Sequence, residues 1–250
     1  MHNPMRTLLS AKTTLFGSTL MLGSARSAEI MARCGFDFLM VDMQHGPFDK
    51  ATATDAIRAL VPGPTTAIAR VAENSPGAIN DLLDAGAMGI VVPMVNSPEE
   101  AQAAVAAAFY PPKGVRSRGG SATAIHGDDY HAWANDEILL VVMLETARAV
   151  DRADEILAVP GVDMCLVGTS DLSLDIGCAR DDDAIGEALA RVAAAANRHG
   201  VGLGIGIGAV ADTAKWQRFD PALYLISHDH GLLKTAGHHL ADDLRRAVGR

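Results

Sequence analysis

The sequence is short of cysteine, lysine, positive charge and long apolar runs, and each shortage removes a class of protein. Three cysteines in 250 residues cannot build a disulfide scaffold. Cys34, Cys165 and Cys178 are odd in number and widely spaced, so they read as reduced thiols of a cytoplasmic chain. No apolar run approaches the roughly 20 residues of a membrane span. Lys+Arg number 21 against 30 Asp+Glu, a formal net charge of −9. That balance argues against nucleic acid or an anionic membrane as partner and leaves small molecules. Glycine, at 24 residues, is far from collagen-like, and 49% hydrophobic residues exclude disorder.

The N-terminus carries one misleading signal. Arg6 followed by an apolar-leaning stretch to Ala25 has the outline of a secretory leader. Lys12, Thr13 and Thr14 interrupt it, and residues 14–20 followed by 24–30 read instead as a strand, an N-cap and a helix.

What the chain does contain is alternation. Short β-rich runs at 15–20, 38–42, 66–70, 89–92, 139–144, 164–167, 202–205 and 223–226 predict strands. Ala-rich helical runs separate them, at 25–33, 50–60, 76–84, 98–108, 147–157, 183–199, 209–218 and 231–248. The strands are largely apolar, as parallel strands covered on both faces are. Length alone allows about 1.7 domains at ~150 residues each. Eight βα units with no Ser/Gly-rich linker predict one α/β domain over 1–250, a single (β/α)8 TIM barrel, with a doubly wound sheet as competitor. The 4% of aromatics suits an Ala-rich helical jacket. Residues 109–136 predict the longest irregular stretch, too long for an ordinary loop and therefore a functional candidate.

A TIM barrel places its chemistry just beyond the C-terminal ends of its strands. Those positions hold Asp42 and His45, Arg70, Pro93 and Met94, Glu145, Asp171, Gly206 and Gly208, and Ser227 and His228. Glu145 and Asp171 are two carboxylates able to share a hard cation such as Mg²⁺ or Mn²⁺, leaving positions for water and a bidentate substrate. Asp171 in Thr169-Ser170-Asp171 could equally cap a helix. Glu145, straight after six apolar residues, is costly to bury without a partner. His45 can exchange protons near neutrality, and Asp42 three residues earlier could fix its tautomer. Arg70 could stabilise a developing oxyanion or simply form a salt bridge.

Several ungapped segments carry a resemblance: FDFLMVDMQH at 36–45, LLDAGA at 82–87, VVPMV at 91–95, YPPKGVR at 110–116, LET at 144–146 and VGTSDLS at 167–173. Over about residues 14 to 230 the chain resembles the HpcH/HpaI aldolases. The resemblance implies a metal-dependent barrel, usually a homohexamer, that cleaves 4-hydroxy-2-oxoacids to pyruvate and an aldehyde. It implies Glu145 and Asp171 as ligands of a divalent metal (Mg, Mn or Co, with Zn as an alternative). His45 is implied as base, Asp42 as its partner and Arg70 as the oxyanion-stabilising residue. Gly168, Thr169, Ser170 and Asp171 match the segment receiving the pyruvate carboxylate. Asp84 lies in a motif facing a neighbouring subunit's site. Two departures concern substrate identity: Met143 stands where some members have Gln, and residues 117–131 match nothing well.

Schiff-base chemistry needs a desolvated lysine aimed into the site. Lys12, Lys50, Lys113, Lys215 and Lys234 are the only lysines, and none falls in a predicted strand or at its end. The G-x-G-x-x-A run at 204–209 fits a dinucleotide motif but comes too late to head a Rossmann domain. It reads better as backbone that substrate approaches. His228-Asp229-His230 and His238-His239 invite a zinc reading but fall at or on the last helix. Two other functions compete. A CoA-ester lyase of the citrate-lyase-beta type would need basic residues for CoA phosphates, and Arg116 and Arg118 are the nearby cluster. A non-catalytic oxoacid-binding barrel would not need His45 and Arg70.

Overall fold

The computed structural model describes residues 2–119 and 121–249. Eight parallel strands close in sequence order into a barrel. The chain enters through α1 (Pro4–Ser10), β1 (Leu15–Leu20), α2 (Ala25–Met31), β2 (Phe38–Asp42), α3 (Lys50–Leu60) and β3 (Thr66–Arg70). It continues through α4 (Pro76–Ala85), β4 (Gly89–Val92), α5 (Pro98–Ala108), α6 (Ser121–His126), α7 (Tyr130–Glu137) and β5 (Leu139–Leu144). Next come α8 (Ala147–Asp151), α9 (Ala153–Leu157), β6 (Met164–Val167), α10 (Thr169–Ile176), α11 (Asp183–His199) and β7 (Gly202–Ile207). The last elements are α12 (Asp212–Trp216) with a 3-10 turn at Gln217–Phe219, β8 (Leu223–His228) and α13 (Asp229–Ala247).

Serine and aspartate start the jacket helices by a common device. The side chains of Ser24, Asp49, Ser75 and Ser97 each accept an N–H from the first turn of the helix that follows. Pro76 and Pro98 fill first-turn positions where no N–H is needed.

Two buried layers result from strand alternation. Leu15, Phe38, Met40, Ile68, Val141 and Leu166 belong to the cluster inside the barrel, and Met5 of α1 joins them. Leu39, Val41, Ala69, Val142 and Val167 face the helices. In β7 Leu203, Ile205 and Ile207 face outward, so Gly202, Gly204 and Gly206 are its inward positions. Large residues use the room that glycine leaves. A Cβ on Gly17 would stand 2.1 Å from the Phe38 ring, so a methyl group there would collide with the core.

Five differences from the sequence reading are local. β7 and β8 run two residues beyond the predicted ends, and the predicted 147–157 helix is two helices that meet at Arg152. The stretch 109–136 is not irregular: it contains α6 and α7. Tyr130 is fully buried there, with Trp133 packed edge-on at 4.9 Å. Residues 169–176 form the extra helix α10, closed by Gly177 in the left-handed conformation. Residues 4–10 form α1 beneath the barrel, with Asn3 capping it and donating to the carbonyls of Met88 and Glu137.

Candidate active site

Strand register assembles the site. Asp42 and Arg70 are direct partners on β2 and β3, so both side chains emerge on the same face at the barrel's C-terminal end. Arg70 Nε donates to Asp42 Oδ1 at 2.9 Å and Nη2 donates to Oδ2 at 2.6 Å. This bidentate geometry fixes the guanidinium plane. Asp42 Oδ1 also accepts the backbone N–H of Gln44 and of His45, at 3.0 and 3.3 Å. The expected Asp42–imidazole pairing is therefore replaced: Asp42 holds Arg70 and the backbone of the His45 turn. The His45 ring is exposed and, among the described residues, has no hydrogen-bond partner. The third guanidinium nitrogen, Nη1 of Arg70, lies 3.8 Å from Met143 Sδ. A thioether is a weak acceptor, so Nη1 keeps most of its donor strength for something in the cavity.

The next register step sets the carboxylates. Leu144 of β5 pairs with Val167 of β6, which brings Glu145 beside Gly168. A Cβ at residue 168 would stand 2.5 Å from Glu145 Oε1; glycine is what admits this carboxylate. Glu145 is 1% exposed, and its Oε2 accepts the Met94 N–H at 3.0 Å. Met94 adopts φ +54, an uncommon conformation outside glycine that turns its amide toward the site. Burial raises the Glu145 pKa above its usual value; Met94 N–H and Arg70 oppose that shift, and the neighbouring Asp171 reinforces it. Asp171 lies in the first turn of α10 and is exposed. It does not cap that helix, since Gly168 is the N-cap and no side chain there accepts the first N–H groups.

A cavity of about 580 Å³ at this mouth is lined by His45, Arg70, Met143, Glu145, Gly168, Thr169, Ser170 and Asp171. Asp84 is not among its lining residues: it pairs instead with Arg116, on the outer side of the barrel. No lysine lines the cavity, as the lysine count predicted. Gly206 and Gly208 do line it, consistent with backbone that substrate approaches. Arg180 and His228 also face it. Arg180 gave no sequence signal, because it follows an unpredicted helix. His228 was visible only as a residue after a strand.

These strand-end residues occur in the order of a known group. A family model described as HpcH/HpaI aldolase/citrate lyase matches residues 16–217. The chain belongs to this family. The family match runs from β1 to Gln217, so it includes Asp42, His45, Arg70, Glu145, Asp171 and Arg180 but not His228. The chain is 40% identical over 180 residues to a hydroxypyruvate/pyruvate aldolase of Agrobacterium fabrum, covering 70% of this chain and 68% of that one. It is 38% identical over 183 residues to a 4-hydroxy-2-oxo-heptane-1,7-dioate aldolase of Escherichia coli, covering 72% and 70%. An HpcH/HpaI aldolase/citrate lyase family protein from Burkholderia cenocepacia J2315 superposes with a TM-score of 0.91 at 32% identity, covering 96% of this chain and 98% of that one.

The other sequence motifs resolve simply. Arg116, a candidate for gripping CoA phosphates, has a side chain with no exposure and is occupied by Asp84 and Tyr130. It cannot serve that role. His228 caps α13, and Asp229 is buried, accepting from Met21 N, Leu22 N and Ser27 Oγ. Among the described residues no group of three His, Cys, Asp or Glu could hold a metal by itself.

Proposed function

We propose that the chain is a divalent-metal-dependent aldolase that cleaves a 4-hydroxy-2-oxoacid to pyruvate and an aldehyde. The observation that carries this reading is the buried Glu145 carboxylate beside Asp171, in one cavity with Arg70 and His45. Two adjacent carboxylates, one of them desolvated, are costly unless a cation joins them. Glu145 and Asp171 offer oxygen donors only, and two ligands leave room for water and a chelating substrate. That donor set suits Mg, Mn or Co better than Zn, which favours nitrogen and sulfur. When bound, such a cation supplies Lewis acidity to the oxoacid's 2-oxo group.

The chain's own groups perform the rest. Backbone N–H groups at the start of α10 have no side-chain cap and receive the oxoacid carboxylate at Gly168, Thr169, Ser170 and Asp171. Thr169 Oγ1 donates to the Gly206 carbonyl at 3.2 Å, tying α10 to β7. His45 Nδ1 or Nε2 removes the proton from the C4 hydroxyl. As the C4 carbonyl forms, the C3–C4 bond breaks and its electron pair moves into the pyruvate enolate. Arg70 Nη1 donates to the enolate oxygen, with Asp42 preventing the guanidinium from turning away. Protonation at C3 completes pyruvate.

The test is pyruvate release from several 4-hydroxy-2-oxoacids, with and without a chelator. Chelator inhibition, metal rescue and a loss of about 10²–10³ in kcat for Glu145→Ala are expected. Full metal-supported turnover by that variant rejects the ligand assignment. Borohydride trapping of pyruvate on a lysine would reject the metal mechanism.

Three wider features belong to the same proposal. The protein works as a homo-oligomer, a hexamer by family resemblance, in which Asp84 reaches a neighbour's site. Leu233, Leu240 and Leu244 on α13 are 66%, 63% and 59% exposed, an apolar face that such an assembly would cover. It resides in the cytoplasm, in keeping with three free thiols, Cys34 among them exposed.

A further inference from the structure

The turn between β4 and α5 is fastened to the end of β5 by three hydrogen bonds that bracket Glu145. Val95 N–H donates to the Met143 carbonyl at 3.2 Å. Met94 N–H donates to Glu145 Oε2 at 3.0 Å. The Thr146 hydroxyl donates to Asn96 Oδ1. Asn96 closes these contacts into a ring, because its Nδ2 donates to the Met94 carbonyl at 2.7 Å. Bonds therefore run from Thr146 to Asn96, from Asn96 to Met94 and from Met94 to Glu145, and the chain itself joins Glu145 to Thr146. Every member has a fixed role. Thr146 Oγ1 accepts the Ala149 N–H at 3.0 Å, so its proton is directed at Asn96. The Met94 carbonyl can only accept, so the amino group of the Asn96 amide must face it.

Met94 needs that support. Its φ is +54, a left-handed conformation that a residue other than glycine keeps only where its surroundings hold it. The side chain is not what holds it, being 45% exposed. The backbone is gripped instead, at the N–H by Glu145 and at the carbonyl by Asn96. Without the Asn96 bond the turn is free to relax and to carry the N–H away from Glu145.

The consequence falls on one oxygen of Glu145. Met94 occupies Oε2, whereas Oε1 receives no N–H among the described residues. Oε1 lies against Gly168, on the side from which α10 brings Asp171.

We propose that Asn96 is a positioning residue for the metal ligand Glu145: acting through Met94 it anchors Oε2, and so holds Oε1 toward Asp171 for the cation. This rests on the metal-dependent reading above. Asn96 is not among the residues lining the cavity, so its effect passes through Met94 and not through contact with substrate.

The test is Mn²⁺ binding to the full chain without substrate, read from the electron paramagnetic resonance signal of free Mn²⁺. Thermal unfolding of the metal-free protein checks that each variant is folded. Asn96→Ala is expected to raise the Mn²⁺ Kd about tenfold or more, the usual cost of losing an outer contact that orients a ligand. Thr146→Val removes the hydroxyl that orients Asn96 and should raise the Kd by less; if Asn96→Ala does not fold, this variant decides by the same criterion. In Met94→Gly the left-handed conformation no longer needs support, so Asn96→Ala should cost less there than in wild type. A folded Asn96→Ala protein with the wild-type Kd overturns the positioning role and leaves the metal reading intact. An equal loss from Asn96→Ala in both backgrounds also overturns it, since Asn96 would then act by a route other than Met94. Failure of the wild type to bind Mn²⁺ rejects the metal reading, and the positioning role falls with it.

Discussion

Two buried arginine–aspartate pairs in this chain are built with opposite polarity. In Asp42–Arg70 the carboxylate is sealed at 0% side-chain exposure and the guanidinium is 11% exposed. In Asp84–Arg116 the guanidinium is sealed at 0% and the carboxylate is 32% exposed. The first pair is a direct product of β2–β3 register. The second joins α4 to the segment leading into α6, where Arg116 also donates to Tyr130 Oη at 2.8 Å and lies 4.7 Å over the Tyr110 ring. One pair therefore presents a cation to the cavity; the other presents an anion to the outer face. The sealed member fixes the geometry, and the exposed member is the one available for chemistry.

The largest effect should come from breaking the first pair. Arg70→Ala is expected to lower kcat by about 10²–10³ through loss of the enolate donor. Asp42→Ala keeps the guanidinium charge but releases its bidentate hold, and should cost less than Arg70→Ala in the pyruvate-release assay. The reverse order would show that Asp42, and not Arg70, is the member that matters to the reaction.

The second pair should respond in stability. Asp84→Ala leaves the Arg116 charge buried, a situation that costs about 3–5 kcal/mol; Tyr130 and the ring contacts favour the lower end. Arg116→Met removes the buried charge at similar volume and should cost less, because the stranded Asp84 can be hydrated. Urea unfolding of both variants measures the order. A larger loss in Arg116→Met would break the polarity argument.

The smallest effect sharpens the comparison through pH. His126 belongs to the Arg116 region: its ring stacks on Tyr130 at 5.5 Å, and Nε2 bonds the Gly86 carbonyl at 3.1 Å. Burial lowers its pKa from 6.5, and the bond to Gly86 opposes that only in part. The unfolded chain therefore binds this proton more readily than the folded one. The resulting stability is complete above pH 6.5 and is lost as pH falls below that value. Thermal unfolding between pH 8 and 5 should show a steeper acid loss in wild type than in His126→Phe. Equal slopes would remove His126 from the account.

Much of this architecture is legible locally. The bounds of the first six strands match the β-rich runs, because a strand covered on both faces is apolar at most of its positions. Glu145 and Arg70 stand out as charges closing such runs. The short helices are less visible. α6, α7 and α10 have 6, 8 and 8 residues, too few to be stable from propensity alone. Tyr130 and Trp133 become a buried cluster only when the barrel gives them a surface to pack on. Arg116 misled for the same reason: a basic residue in a Gly/Pro-rich stretch looks exposed until Asp84 and two tyrosines close over it.

The sequence by itself determined that eight parallel strands alternate with helices and that polar groups end them, since both follow from periodicity along the chain. Only the tertiary structure decided the partners. Barrel closure put Asp42 on Arg70 instead of the His45 ring, Gly168 under Glu145, and Arg180 at the mouth. Those assignments depend on register and distance between segments far apart in the chain, and local residue patterns do not encode such distances.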